Sequence, residues 1–193
     1  MRLFLAVFPP SEAQAAAAQA IDALRRSQAG SNVSWVRREN LHYTLRFLGE
    51  LGQDGARRAA EAAQEAGAAH APFEARLEGL GAFPDPARAR VLWLGMSEGG
   101  EALAALALAL EAALRARGFG RADKPFAPHL TLGRVRGGDA DWRAALARTA
   151  AGPASFRVER LWLVQSTLSP QGSHYEKLEG VSLAHGSGAP RSA

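Results

Sequence analysis

The chain has 193 residues, 47% of them hydrophobic and 22% charged, which is a globular composition with enough length for one sizeable core or two small lobes sharing it. It contains no cysteine, which excludes a disulfide scaffold, a Cys-ligated metal site and a thiol nucleophile. The formal charge is +4, and because Lys124 and Lys177 are the only lysines, nearly all positive charge is arginine. Forked guanidinium groups suit phosphate or RNA, but biased codon usage produces the same composition, so charge alone decides nothing.

In chain order, Arg2–Phe8 is rich in Leu, Phe and Val and predicts a buried strand. The run is too short to span a membrane, ends at Pro9-Pro10 and lacks a cleavage pattern, so a cytoplasmic protein is expected. Ser11 and Gln14 have the spacing of a capping box, opening an Ala-rich helix that runs to about Ala29 and stops at Gly30. Val33–Val36 predicts a short strand, Leu41–Leu48 a longer one, and Gln53–Ala69 a second helix. Strands follow at Phe73–Ala82 and Arg90–Gly95, joined by the turn-prone Phe83-Pro84-Asp85-Pro86. A third helix from Gly100 to Arg117 sets Leu103, Leu106, Leu110 and Leu114 on one face. The remainder reads as a strand at His129–Val135, a helix at Asp139–Thr149 and strands at Phe156–Gln165 and Tyr175–Leu183. Residues 1–183 are expected to form a single domain, and residues 184–193, rich in Gly, Ser and Ala, a disordered tail.

One short pattern occurs twice. Leu41-His42-Tyr43-Thr44-Leu45 is matched by Pro128-His129-Leu130-Thr131-Leu132, the histidines 87 residues apart (129 − 42) and each on a predicted strand. Side chains at i and i+2 of a strand share a face, so His42 projects with Thr44 and His129 with Thr131, while Tyr43, Leu45, Leu130 and Leu132 point the other way. Threonine makes up roughly 2% of the chain, so two of five histidines carrying Thr at +2 by chance is roughly a one-in-several-hundred event. Two copies only, at so long a period, suggest duplicated lobes facing across a cleft rather than a solenoid.

Two imidazoles and two hydroxyls suit phosphodiester cleavage. One imidazole takes a proton from the nucleophile, the other protonates the leaving oxygen, and the hydroxyls donate to the phosphoryl oxygens as they gather charge. Metal ligation by the same histidines is disfavoured, because no Asp or Glu stands at ligand spacing beside them. His70, His174 and His185 read as structural or solvent-exposed, and no G-x-S-x-G elbow is present.

At these residues the sequence resembles the two-histidine phosphoesterase superfamily, defined by paired H-x-[ST]-x motifs, and within it the RNA 2′,3′-cyclic phosphodiesterases, also called 2′-5′ RNA ligases. The resemblance extends through Arg2-Leu3-Phe4-Leu5-Ala6, Trp35–Glu50, Pro128–Arg134 and the ending Ser166-Thr167-Leu168-Ser169-Pro170-Gln171-Gly172-Ser173-His174-Tyr175. Tyr43 and Arg38 depart from the family's usual aliphatic and Pro. The resemblance implies an α+β fold of two duplicated lobes, with antiparallel sheets lining a central groove and helices packed outside. It also implies cofactor- and metal-free hydrolysis of a 2′,3′-cyclic phosphate on an RNA end or nucleotide to a 2′-phosphomonoester. His129 would then be the base and His42 the acid, Thr44 and Thr131 would hold the phosphoryl oxygens, and Phe47 and Arg134 would line the groove and stack on the terminal base. Counted by twos, Phe47 and Arg134 fall on the parity opposite the His/Thr face unless each strand ends or bulges first. The alternatives are ATP-independent 2′-5′ end-joining by the same site, a phosphodiesterase acting on a small cyclic nucleotide, and a non-catalytic RNA-end-binding module. A monomer is expected by default.

Overall fold

The computed structural model describes residues 1–28, 32–137, 140–169 and 172–184. Its elements follow in the order β1 (Arg2–Val7), α1 (Ser11–Ser27), β2 (Val33–Trp35), β3 (Tyr43–Glu50), α2 (Gln53–Ala68), β4 (Phe73–Phe83) and β5 (Val91–Glu98). They continue with α3 (Gly100–Ala116), β6 (Leu130–Val135), α4 (Arg143–Arg148), β7 (Ala154–Val158), β8 (Arg160–Ser169) and β9 (Gly172–Ser182). The strands form two antiparallel sheets, β3-β1-β8-β9 and β2-β6-β5-β4-β7, so the fold is α+β. No described helix is long and apolar enough to cross a membrane.

The two sheets do not correspond to the two halves of the sequence. The four-stranded sheet takes β1 and β3 from the start of the chain and β8 and β9 from its end, while β2 and β4 to β7 build the other. Helix α1 packs on β6 and β7 of the five-stranded sheet, and α2 covers β8 and β9 and packs along α3. Strands β3 and β6, one from each sheet, lie against each other, which brings the two H-x-T segments together.

Packing explains the apolar continuity of β1. Leu3, Leu5 and Val7 enter the main core, and Phe4 and Ala6, on the opposite face, join Val164 in a smaller cluster flanked by Phe8, Trp162 and Tyr175. On α3, Leu103, Leu106, Leu110 and Leu114 are all fully buried, each contributing about 1.5–3 kcal/mol relative to exposure.

Three details depart from the sequence reading. The capping box does not form: Pro10 occupies the N-cap position and cannot cap by side chain, Ser11 begins the helix, and Gln14 donates instead to the Leu41 carbonyl at 3.3 Å. The predicted Phe156–Gln165 strand is two strands, since the chain changes sheets at Glu159, with β7 pairing β4 and β8 pairing β1. The fourth helix is confined to Arg143–Arg148, preceded by Trp142 buried against Trp35. The predicted stop at Gly30 and the tail from 185 lie outside the described residues.

Tyr43 points into the core as expected, fully buried, but its hydroxyl has no hydrogen-bond partner among the described residues. A buried hydroxyl without a partner costs about 1–3 kcal/mol. Tyr43→Phe should therefore raise the urea midpoint; a destabilised variant would mean that the hydroxyl is bonded after all.

Candidate active site

His42 and His129 each stand one residue ahead of their strands, β3 and β6, and each is anchored in the same way. His42 Nδ1 donates to the Asn40 carbonyl at 2.6 Å and His129 Nδ1 donates to the Ala127 carbonyl at 2.7 Å. Because a carbonyl can only accept, both rings keep their proton on Nδ1 and leave Nε2 for chemistry. Asn40 is itself tied to the end of the molecule, its Nδ2 donating to the Ser173 carbonyl at 2.8 Å. At His42, Nε2 accepts from the Thr44 hydroxyl at 3.0 Å, so the expected pairing on one face is observed directly.

The surroundings of the two rings differ. His42 is enclosed by Phe4, Phe8 and Tyr175, with ring centroids 5.0, 5.4 and 5.2 Å away and Tyr175 edge-on. His129 meets Phe83 edge-on at 5.1 Å. Burial among the aromatic rings pushes the His42 pKa down to about 4, the Asn40 hydrogen bond opposes this, and the charges of Arg134 and His129 push it further down. Ligand-free His42 is consequently neutral at pH 7, accepting from Thr44. An entering phosphate anion favours the protonated ring and opposes the desolvation.

Phe47 and Arg134 reach the same face because each strand does bulge, and at equivalent residues. Along β1 and β3, Ala6 is opposite Thr44 but Leu5 is opposite Arg46, leaving Leu45 as the extra residue. Along β5 and β6, Trp93 is opposite Thr131 but Leu92 is opposite Gly133, leaving Leu132 as the extra residue. One extra residue reverses the parity that follows. Phe47 then falls opposite Phe4, whose ring it meets at 5.9 Å, and Arg134 falls opposite Val91, on the face of Trp93 and Thr131. Phe47 is 58% exposed, an apolar ring offered to solvent beside the His42 enclosure.

The aromatic enclosure escapes the sequence reading. Phe4, Ala6 and Phe8 at i, i+2 and i+4 carry the signal for one wall, but the continuous apolar run of β1 masks it. Tyr175 arrives from β9, opposite Ser166, a pairing no local pattern announces. Of the histidines set aside, His70 caps its own helix by donating to the Ala66 carbonyl at 2.8 Å, His174 is exposed on β9, and His185 lies outside the described residues.

Each sheet carries an Nδ1-anchored histidine with a threonine two residues on, and the two strands concerned adjoin, the arrangement expected of the two-histidine phosphoesterase superfamily. The 2′-5′ RNA ligase superfamily matches residues 9–169, and the chain belongs to that family. Among its relatives, an RNA 2′,3′-cyclic phosphodiesterase of Archaeoglobus fulgidus is 36% identical over 92% of this chain and 98% of its own length. One of Thermus thermophilus is 35% identical over 95% and 90%. Among solved structures, a Thermus thermophilus protein superposes with a TM-score of 0.77 at 33% identity, covering 96% of this chain and 99% of its own. E. coli LigT in complex with 3′-AMP superposes with a TM-score of 0.75 at 28% identity, covering 95% and 98%.

Proposed function

We propose that the protein hydrolyses the 2′,3′-cyclic phosphate of an RNA end or nucleoside to a 2′-phosphomonoester, with His42 and His129 as acid and base and without a metal ion. The observation that carries this reading is the matched pair of imidazoles, each held through Nδ1 by a backbone carbonyl and each with a threonine two residues on. That the protein is a hydrolase of the cyclic phosphodiesterase kind is supported by relatives bearing that name along nearly the whole chain.

In this reading the substrate phosphate lies between the two Nε2 atoms. His129 takes a proton from water, the water oxygen bonds to phosphorus, the bond from phosphorus to O3′ breaks, and protonated His42 delivers its proton to O3′. Thr44 turns its hydroxyl from His42 Nε2 to a non-bridging oxygen, Thr131 donates to the other, and the Arg134 charge balances the phosphoryl group. Phe47 supplies an exposed face for the terminal base. Removing one such donor elsewhere costs about 10²–10³ in kcat, so Thr131→Val should lower kcat by that order with little change in KM.

Phosphorus NMR of a nucleoside 2′,3′-cyclic phosphate with the protein and EDTA tests the reading. Ring opening to a 2′-phosphomonoester is the expected outcome. An intact ring with salt-dependent RNA binding would replace the reading with an end-binding module, and a 2′-5′ diester formed only when a 5′-hydroxyl RNA is added would replace it with end-joining.

A further inference from the structure

Lys177 is one of two lysines in the chain, and its position is unusual. Its ammonium lies 4.3 Å from the ring centroid of Phe8 and 4.9 Å from that of Trp162. Phe8 is also a wall of the His42 enclosure, so the ammonium and the imidazole share one ring. Lys177 is opposite Val164, on the face of the four-stranded sheet that carries Phe4, Ala6 and Tyr175. Trp162 lies flat there because its cross-strand neighbour is Gly180, whose absent Cβ would stand 2.6 Å from the indole. The ammonium is exposed, and none of the described carboxylates forms an ion pair with it. Contact with the rings strips part of its water, which disfavours the charge and lowers its pKa. An anion at this point would restore what the rings remove.

We propose that Lys177, held on the Phe8–Trp162 platform, binds the internucleotide phosphodiester on the 5′ side of the cyclic end, so that the site is built for RNA ends rather than free mononucleotides. This rests on the cyclic phosphodiesterase reading above. With the cyclic phosphate between the histidines, the chain can leave only in the 5′ direction. Its next group of fixed negative charge is the phosphodiester, and Lys177 is a cation of that sheet face whose ammonium contacts a ring of the His42 enclosure. The aromatic rings restrain a side chain that otherwise has high rotamer entropy, leaving ammonium donors for the phosphate oxygens.

The test compares kcat/KM on three substrates: a nucleoside 2′,3′-cyclic phosphate, a dinucleotide ending in one, and the same dinucleotide with an uncharged methylphosphonate linkage. Wild type should favour the charged dinucleotide over the other two by about 10-fold, with a steeper loss in salt by about one phosphate contact. Lys177→Met keeps the stem on the rings and should erase that preference through KM, leaving mononucleotide turnover unchanged, while Lys177→Arg should restore most of it. Equal losses on mononucleotide and dinucleotide would place Lys177 on the cyclic phosphate itself and overturn the inference. So would a dinucleotide preference that survives in Lys177→Met. Failure of wild type to open any of the three rings would overturn the cyclic phosphodiesterase reading first.

Discussion

Alanine at His42 or at His129 should lower kcat for 2′,3′-cyclic phosphate hydrolysis by about 10²–10⁴, with KM changed only a few-fold. Proton transfer matters in the transition state and little in ground-state binding, so the loss belongs in kcat. The double variant should be scarcely worse than either single one, because residues that act as one unit do not contribute additively. EDTA should leave wild type unaffected. The two roles separate on a substrate that needs no acid. A phosphodiester with a nitrophenolate leaving group departs without a proton, so His42→Ala should recover most of its rate there and His129→Ala should not. Recovery in His129→Ala instead would exchange acid and base. Undiminished hydrolysis in both variants would remove the histidines from the mechanism altogether.

The legibility of this molecule in its sequence has a physical boundary. Local signals are legible where period and chemistry agree: the α3 leucines are buried as spaced, and His42 does share a face with Thr44. The placement of Phe47 and Arg134 is beyond a period-of-two count, because the reversal comes from one unpaired residue in each strand, Leu45 and Leu132. A bulge is a property of two strands in register, and neither strand's own residues announce it. The same limit hides the division at Glu159. The run from Phe156 to Gln165 shows only a lapse of alternation at Glu159-Arg160, and the sheet each side joins is set by distant partners, β4 for β7 and β1 for β8. The capping box fails for a nearer reason: Pro10, the residue before Ser11, already takes the N-cap position and has no N–H for Gln14 to accept from, and Gln14 donates its amide to the Leu41 carbonyl. The His42 enclosure combines these cases, since its walls come from β1, the segment after it, and β9, which only the folded sheet gathers.

That enclosure should make the fold acid-sensitive through a single imidazole. The His42 pKa is about 4 in the folded protein against 6.5 for an ordinary histidine, so as pH falls the unfolded chain takes up the proton first. The contribution is therefore fully present above about pH 6.5 and is lost as pH falls toward 4. At about 1.4 kcal/mol per unit, and discounted for the ring's partial exposure, it amounts to about 2–3 kcal/mol. Carboxylates titrate in the same range, so the quantity to measure is the difference between wild type and His42→Gln in urea unfolding at pH 7.5 and pH 4.5. Glutamine keeps a polar group that does not titrate, and wild type should lose about 2–3 kcal/mol more than the variant. Parallel losses would mean that the ring is not desolvated by Phe4, Phe8 and Tyr175. The same linkage operates when an anion binds. A 2′-phosphomonoester seated at Nε2 should draw a proton onto His42, seen in calorimetry as uptake near pH 6 that varies with buffer ionisation and disappears in His42→Gln. That proton is the one the ring must hold to act as the acid, so binding without uptake would take the role of acid away from His42.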